Sequence, residues 1–202
     1  MKIICIGRNY VKHIEELKNE RPDSPVIFLK PDSAVLLPRN PFVIPAFSAD
    51  VHYEVEVIVK INKVGKFIDQ KFAHKYYDEI SLGIDFTARD LQDQLRTKGL
   101  PWEKAKAFDG SAVIGEFFPK ENFDLLNLGF QLYKNDVLVQ NGNTRQMLWK
   151  IDEIIAHVSQ YFTLKKGDII FTGTPEGVGR VDPDDVLVGK FGELRVFKIN
   201  VK

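Results

Sequence analysis

The chain has 202 residues, of which 44% are hydrophobic and 28% are charged, and its formal net charge at pH 7 is zero. This composition is ordinary for a globular protein that buries a substantial core. It provides neither the basic surface that nucleic-acid binding requires nor a polybasic arm for anionic membranes, so neither partner is expected.

The cysteine content and the hydropathy of the chain predict its compartment. Cys5 is the only cysteine, which excludes an intramolecular disulfide and fits a reducing cytoplasm. The apolar run at the N-terminus meets Arg8 after a few residues, which is too early for a signal peptide. No run approaches the roughly 20 apolar residues of a membrane span. We therefore predict a cytoplasmic protein.

Short strands dominate the first half of the chain. Apolar and alternating runs predict strands at 2–6, 26–30, 34–37, 51–61 and 80–86. Apolar residues at helical spacing predict a short helix or ordered loop over 8–18 and a helix over 71–79. Thr87 is predicted to cap a helix over 88–98 that ends at Gly99.

The second half adds more strands and one long amphipathic helix, predicted at 147–162. A loop is predicted over 101–110. The predicted strands are 112–118, 130–133, 137–140, 168–171, 186–188 and 194–201, with a hairpin link at 134–136 and a glycine-rich loop at 172–179. Many short strands with few helices predict an α+β, mostly-β fold and not a doubly wound parallel sheet.

Three acidic residues form the first candidate site. Glu54 and Glu56 are two apart in a β-branched run, so their side chains would share one face of a strand. Asp85 follows an apolar run and is expected near a strand end. Like charges this close repel unless a cation separates them, and three carboxylates without a cysteine cluster favour Mg²⁺, Mn²⁺ or Ca²⁺ over Zn²⁺. A solvated strand face, with Asp85 capping a turn, would produce the same spacing.

His13 and Glu16 form a candidate general base. On a helix they would share a face, and a carboxylate beside an imidazole fixes its tautomer and raises its basicity. An exposed amphipathic turn with an incidental histidine explains the same spacing. The loop over 172–179 is similarly open, because its glycines could bring backbone N–H groups close to an anion or simply form a wide turn.

Lys106 and Gln92 are further candidates for contact with a ligand. Lys106 could bind a substrate carboxylate or a developing oxyanion, and Gln92 could donate a hydrogen bond to the same molecule. Most lysines and glutamines are simply solvated, and the sequence pattern alone does not separate the two cases.

Seven segments of the chain match one known family in the same order. They are GRNYVKHIEEL (7–17), PVIFLKPDSA (25–34), HYEVEV (52–57), DFTARDLQ (85–92), KGLPWEKAKAFDG (98–110), QNGNTRQMLW (140–149) and FTGTPEGVG (171–179). Through these segments the chain resembles the fumarylacetoacetate hydrolase family, in its short branch of acylpyruvate hydrolases and oxaloacetate decarboxylases.

The resemblance implies a single catalytic domain over 1–202, built as a mixed β-roll with flanking short helices and usually found as a homodimer. It implies Mg²⁺ or Mn²⁺ on Glu54, Glu56 and Asp85. It places His13 and Glu16 on a mobile segment, around 8–20, that orders over bound substrate. It also implies substrate contacts by five residues, which are Lys106, Gln92, Thr174, Lys30 and Arg8.

The activity predicted from this resemblance is metal-dependent cleavage of a carbon–carbon bond in an acylpyruvate, a short 2,4-diketo acid, to pyruvate and a carboxylic acid. His13, held by Glu16, would activate water, a metal-bound enolate would leave, and Lys106 would add positive charge. The same enolate chemistry serves oxaloacetate decarboxylation and the isomerisation, tautomerisation or hydration of an unsaturated 2-oxo acid. An inert metal-binding dimer is the non-enzymatic alternative.

Overall fold

The computed structural model describes residues 1–37 and 39–202. In these ranges it contains fourteen strands and five α-helices. The strands are β1 (Ile3–Gly7), β2 (Val26–Lys30), β3 (Val51–Tyr53), β4 (Val55–Ile61), β5 (Tyr77–Asp85), β6 (Thr87–Ala88), β7 (Ala112–Ile114), β8 (Phe118–Pro119), β9 (Gly129–Lys134), β10 (Val137–Asn143), β11 (Ile169–Phe171), β12 (Gly179–Arg180), β13 (Val186–Phe191) and β14 (Leu194–Asn200). The helices are α1 (Val11–Glu16), α2 (Gln70–Ala73), α3 (Arg89–Thr97), α4 (Glu103–Lys106) and α5 (Ile151–Tyr161).

The strands form three sheets. The largest has the order β2-β1-β11-β4-β5-β7, with β8 also paired to β5. A four-stranded sheet has the order β10-β9-β13-β14, and a three-stranded sheet has the order β12-β3-β6. β1 and β11 are parallel, and the other pairs between described strands are antiparallel. The predicted α+β, mostly-β fold is confirmed.

β4 and β5 form the centre of the largest sheet because β4 is apolar on both faces. Val57 and Ile58 are neighbours on β4, so they point to opposite faces, and both are fully buried. Val57 belongs to the main core, which also contains the apolar face of α5, whereas Ile58 packs with Cys5 and Phe171 in a second cluster. The central strands are therefore held from both sides.

Helix α2 is shorter than the helix predicted over 71–79. Tyr77 is buried and pairs with Ile61, so the chain enters β5 where the local pattern favoured a helix. The strand predicted at 34–37 is also wrong, because Asp32–Ala34 forms a 3-10 turn and only a single isolated bridge follows it. In both places pairing with distant strands overrides local propensity.

Helix α5 begins later than the prediction of 147–162. Thr144–Gln146 forms a 3-10 turn just before it. The helix then starts where the side chain of Glu153 accepts the Lys150 N–H at 2.6 Å.

Two departures from the predicted elements shape the region around the acidic residues. The strand predicted over 51–61 is interrupted at Glu54, because β3 belongs to the three-stranded sheet and β4 to the largest one. Thr87 does not cap α3; it lies on β6 and its hydroxyl donates to the Asp85 carbonyl at 3.3 Å. Among the described helices, none is long and apolar enough to cross a membrane.

Candidate active site

Glu54, Glu56 and Asp85 meet at one end of the central strands. The chain changes sheets at Glu54, whose carbonyl accepts the Asp85 N–H at 2.9 Å. Glu56 lies on β4 and Asp85 is the last residue of β5. The three side chains are buried, and one carboxylate oxygen from each lies within 4.8 Å of the others. A solvated strand face is therefore not the explanation of their spacing, and the group could hold a metal ion.

Lys106 places an ammonium group between two of these carboxylates. It is the last residue of α4, a short helix inside the segment where a loop was predicted. Its Nζ donates to Glu54 Oε2 at 2.7 Å, to Asp85 Oδ2 at 2.8 Å and to the Thr87 hydroxyl. Burial would lower the pKa of Lys106, but the charges of Asp85 and Glu54 raise it. Lys106 is therefore a fixed, buried cation.

The carboxylates of Glu54, Glu56 and Asp85 are called the acidic group below. Lys30, at the end of β2, contacts this group at Asp85. Its Nζ donates to the Lys106 carbonyl and to the carbonyl and hydroxyl of Ser111. It also lies 2.7 Å from Asp85 Oδ1, but not in a hydrogen-bonding orientation, so within the described chain this buried oxygen accepts no hydrogen bond. A buried carboxylate oxygen that is held by an ion pair only, next to two glutamates, fits the oxygen ligands that Mg²⁺ and Mn²⁺ prefer.

Arg89 is a site residue that the sequence reasoning did not single out. Its Nη2 donates to Glu54 Oε1, its Nη1 to Gln92 Oε1 at 2.6 Å, and its Nε to His52 Nδ1 at 3.5 Å. Gln92, which lines the cavity described below, thus accepts from Arg89 with its carbonyl oxygen, and its NH2 group donates to no protein group in the described part of the chain. The available signal was the place of Arg89 four residues after Asp85, inside the segment over 85–92.

The two glutamates differ in their electrostatic surroundings. Burial alone would raise the pKa of Glu54, but Lys106 and Arg89 hold it well below its usual range. Burial raises the pKa of Glu56 well above its usual range, and the charges of Asp85 and Glu54 raise it further. The hydrogen bond from the Gly173 N–H lowers this pKa but does not offset the rise. Glu56 is therefore the carboxylate that a bound cation would stabilise most.

Helix α1 brings His13 and Glu16 to the same place. His13 is buried, with its Nδ1 3.2 Å from Glu16 Oε2, and Glu16 Oε1 accepts the Gly177 N–H at 3.0 Å. Burial would raise the pKa of Glu16, but the hydrogen bonds from His13 and Gly177 lower it. In the tautomer whose Nδ1–H donates to Glu16, Nε2 is the ring nitrogen with a free lone pair. The catalytic role of the pair stays a prediction.

The glycine-rich loop after β11 allows a close approach between backbone segments. Gly173 has φ +101°, and a Cβ there would lie 2.7 Å from Asn9 Cβ, so glycine is required. The Thr174 hydroxyl donates to the Val55 carbonyl at 2.9 Å and accepts from Gln140 Nε2 at 2.9 Å. Gln140, which the sequence reasoning missed, therefore fixes the orientation of Thr174.

A cavity of about 170 Å³ connects these residues. Ligand pockets for drug-sized molecules are larger, roughly 300–1,000 Å³, so this cavity suits a small ligand. Phe28 and Trp102 form an apolar part of its wall, edge to face with ring centroids 6.0 Å apart. It is lined by eight of the ten predicted site residues, namely Arg8, His13, Glu54, Glu56, Asp85, Gln92, Lys106 and Thr174. Lys30 and Glu16 contact the lining residues from outside.

Comparison with known proteins places this site in a family context. The family model described as "Fumarylacetoacetate (FAA) hydrolase C-terminal" matches residues 2–199. The mitochondrial oxaloacetate tautomerase FAHD1 of Bos taurus is 41% identical over 200 residues, which cover 98% of this chain and 90% of the relative. The mitochondrial oxaloacetate decarboxylase of Dictyostelium discoideum is 42% identical over 188 residues, which cover 92% of this chain and 86% of the relative.

The solved structure of another protein matches this chain over its full length. Fumarylpyruvate hydrolase from Pseudomonas aeruginosa, in complex with Mn²⁺ and pyruvate, has a TM-score of 0.92 to this chain and 32% sequence identity. The match covers 100% of this chain and 89% of that one. Sequence and structure thus lead to the same group of proteins.

Proposed function

The chain belongs to the fumarylacetoacetate hydrolase family, and we propose that within it the protein is a metal-dependent oxaloacetate tautomerase, which interconverts the keto and enol forms of this four-carbon dicarboxylate. The two curated relatives at 41% and 42% identity are named for reactions of oxaloacetate, whereas the fumarylpyruvate hydrolase is 32% identical. Reactions of oxaloacetate therefore take precedence over the acylpyruvate hydrolysis predicted from the sequence.

The charge balance of the buried site carries the proposal. Three buried carboxylates are matched by three buried cations, namely Glu54, Glu56 and Asp85 with Lys30, Arg89 and Lys106. A divalent cation on the carboxylates would give these six buried side chains and the metal together two net positive charges. Oxaloacetate carries two negative charges at neutral pH, whereas an acylpyruvate with an uncharged acyl group, such as acetylpyruvate, carries one. Because buried charge is costly unless it is compensated, the dianion fits this site better.

The residues of the site can move a proton between carbon and oxygen. Glu54, Glu56 and Asp85 would hold a divalent cation, which supplies Lewis-acid stabilisation of negative charge on the 2-oxo oxygen. The ammonium group of Lys106 adds a fixed positive charge. His13 would take a proton from C3 with its Nε2, and the C–H electron pair would become the C2–C3 double bond. The imidazolium would then protonate the oxygen on C2, which gives the enol.

Two further reactions would use the same charge distribution. Decarboxylation breaks the C3–C4 bond of oxaloacetate and leaves its electron pair in the same place. Acylpyruvate hydrolysis needs, in addition, a water molecule that His13 deprotonates. The contact between His13 and Glu16 at 3.2 Å is the observation that keeps hydrolysis as the second candidate.

The test follows both kinds of product with purified protein and Mn²⁺. Enol-rich oxaloacetate should lose its enol absorbance faster than in buffer, and a chelator should abolish the acceleration. Loss of a general acid–base typically costs about 10²–10⁴-fold, so His13→Ala should slow the reaction by that factor. The matched control is His74→Ala, because His74 is exposed and outside the cavity.

Parallel assays of pyruvate separate the candidates. Release of pyruvate from oxaloacetate at the rate of enol loss would assign decarboxylation instead. Chelator-sensitive pyruvate from acetylpyruvate, with no effect on the oxaloacetate enol, would overturn the tautomerase proposal in favour of hydrolysis.

A further inference from the structure

Among the described residues, the lysine and arginine side chains that line the cavity are paired with acidic groups, with one exception. Lys106 and Arg89 bind the acidic group, as described above. Arg96, at the cavity edge, forms an ion pair with Asp93 at 3.3 Å. Arg8 also lines the cavity, yet among the described residues its guanidinium makes no hydrogen bond and no ion pair. Within the described part of the chain, Arg8 is therefore the one arginine or lysine lining the cavity whose charge no acidic group compensates.

The backbone at Arg8 is held in an uncommon conformation. Arg8 has φ +58°, in the left-handed region that non-glycine residues seldom adopt. Its neighbour Asn9 fixes this position, because the Asn9 side chain donates to the carbonyls of Thr172 and Trp149 and accepts the Trp149 N–H at 2.8 Å. Strain of this kind persists only where the surroundings impose it, and it is concentrated at ligand-binding sites.

We propose that Arg8 binds the carboxylate of the substrate farther from the 2-oxo group, and so selects dicarboxylic over monocarboxylic 2-oxo acids. This inference rests on the proposed function. The acidic group and Lys106 would hold the end of the substrate that carries the 2-oxo group. A planar guanidinium matches the two oxygens of a carboxylate and can bind them in a bidentate fashion, which a lysine cannot reproduce. The fixed backbone of Arg8 limits how far its charge can move from the cavity.

The experiment compares two ligands that differ by the distal carboxylate. Oxaloacetate is used as substrate, and pyruvate, which lacks that carboxylate, is used as a competitive inhibitor of the Mn²⁺-loaded protein. A hydrogen bond to a charged group contributes about 1.5–3 kcal/mol, so Arg8→Gln should raise KM for oxaloacetate roughly 10- to 100-fold. The inhibition constant of pyruvate should change less than about twofold, since pyruvate does not reach Arg8.

Lys18→Gln is the matched control. Lys18 lies on the same segment, is exposed, has φ +51° and does not line the cavity. This variant removes the same charge from a similar backbone conformation and should change neither constant. Arg8→Lys should restore part of the affinity for oxaloacetate, which a variant that merely misfolds would not do.

Direct binding separates this inference from the proposed function. Calorimetry with the Mn²⁺-loaded protein measures the affinity for oxaloacetate and for pyruvate by the heat of binding, so it does not depend on an activity readout. If the wild type binds oxaloacetate more tightly and Arg8→Gln removes the difference, Arg8 selects dicarboxylates even if tautomerisation is absent. An equal loss for both ligands, no loss for either, or no preference in the wild type would each overturn the inference.

Discussion

Replacement of Glu56 by glutamine tests the metal site and its electrostatics together. Glu56 is 2% exposed, and burial together with the charges of Asp85 and Glu54 raises its pKa. The folded state therefore holds this proton more tightly than the unfolded chain, whose glutamate pKa is about 4.3. It follows that the metal-free protein loses stability as pH rises above that value. Glutamine is neutral and still accepts the Gly173 N–H, so Glu56→Gln should be the more stable protein at pH 8 without metal.

With metal added, the wild type should become more stable than Glu56→Gln. An ion that binds only the folded state adds about 2.7 kcal/mol of stability when its concentration is 100 times its Kd. In a protein of this size 1 kcal/mol moves Tm by about 2–4 °C, so Mn²⁺ at that concentration should raise the Tm of the wild type by about 5–11 °C. Glu56→Gln removes one of three charged ligands and should reduce this rise to near zero.

The assay is thermal unfolding at pH 5 and pH 8, with Mn²⁺ and with a chelator. Glu79→Gln is the matched control, because Glu79 lies on the neighbouring strand β5 but is part of a surface ion pair with Lys60. The control should keep the full rise in Tm. An undiminished metal-induced rise in Glu56→Gln would refute the assignment of the acidic group as the metal site. Equal metal-free stability of Glu56→Gln and wild type at both pH values would refute the electrostatic argument.

Two further predictions concern the supports of the site. Gly173→Ala forces a Cβ to within 2.7 Å of Asn9 Cβ at positive φ, so it should lower the free energy of unfolding in urea by about 2 kcal/mol or more. The control is Gly99→Ala, which has positive φ but open space around the new Cβ and should lower it by about 1 kcal/mol. Burial would raise the pKa of Asp168, but the hydrogen bonds from Lys2 lower it. The ionised carboxylate therefore stabilises the fold above the pKa of the unfolded chain, which is about 3.9. This contribution is lost as the pH falls through the lowered pKa of the folded state. Asp168→Asn should therefore cost about 1–2 kcal/mol at pH 7 and little at pH 3, and an equal cost at both would contradict the ionic explanation.

The acidic group could be predicted from the sequence because each member carries a local signal. Glu54 and Glu56 interrupt a β-branched run, and Asp85 ends an apolar one. The physical reason given for their proximity was nevertheless incomplete. Glu54 does not share a continuous strand with Glu56, since the chain changes sheets there, and the convergence depends on the pairing of Glu54 with Asp85. Spacing identified the residues, and sheet topology brings them together.

The cations around that group could not be found in the same way. The Lys30 ammonium and the Lys106 carbonyl that it contacts are 76 positions apart, and Arg89 and Glu54 are 35 apart. Lysine and arginine are mostly solvated, so a single sequence gives no reason to bury these three. The family resemblance named Lys30 and Lys106 as contacts of the substrate, whereas the structure shows that both also neutralise Asp85. That neutralisation is visible only when distant segments are assembled.

The balance between proton transfer and water attack depends on how closely α1 covers the cavity. Glu16 accepts a backbone N–H from Gly177, and Lys12 lies 3.4 Å from the carboxylate of Glu176, so two contacts join α1 to the glycine-rich loop. His13 is consequently buried and its ring lines a small cavity, with Nε2 the nitrogen that does not contact Glu16. In so small a space the substrate and an attacking water molecule compete for the same volume beside that nitrogen. Proton transfer needs only the substrate, which is the physical reason to rank tautomerisation before hydrolysis at this site.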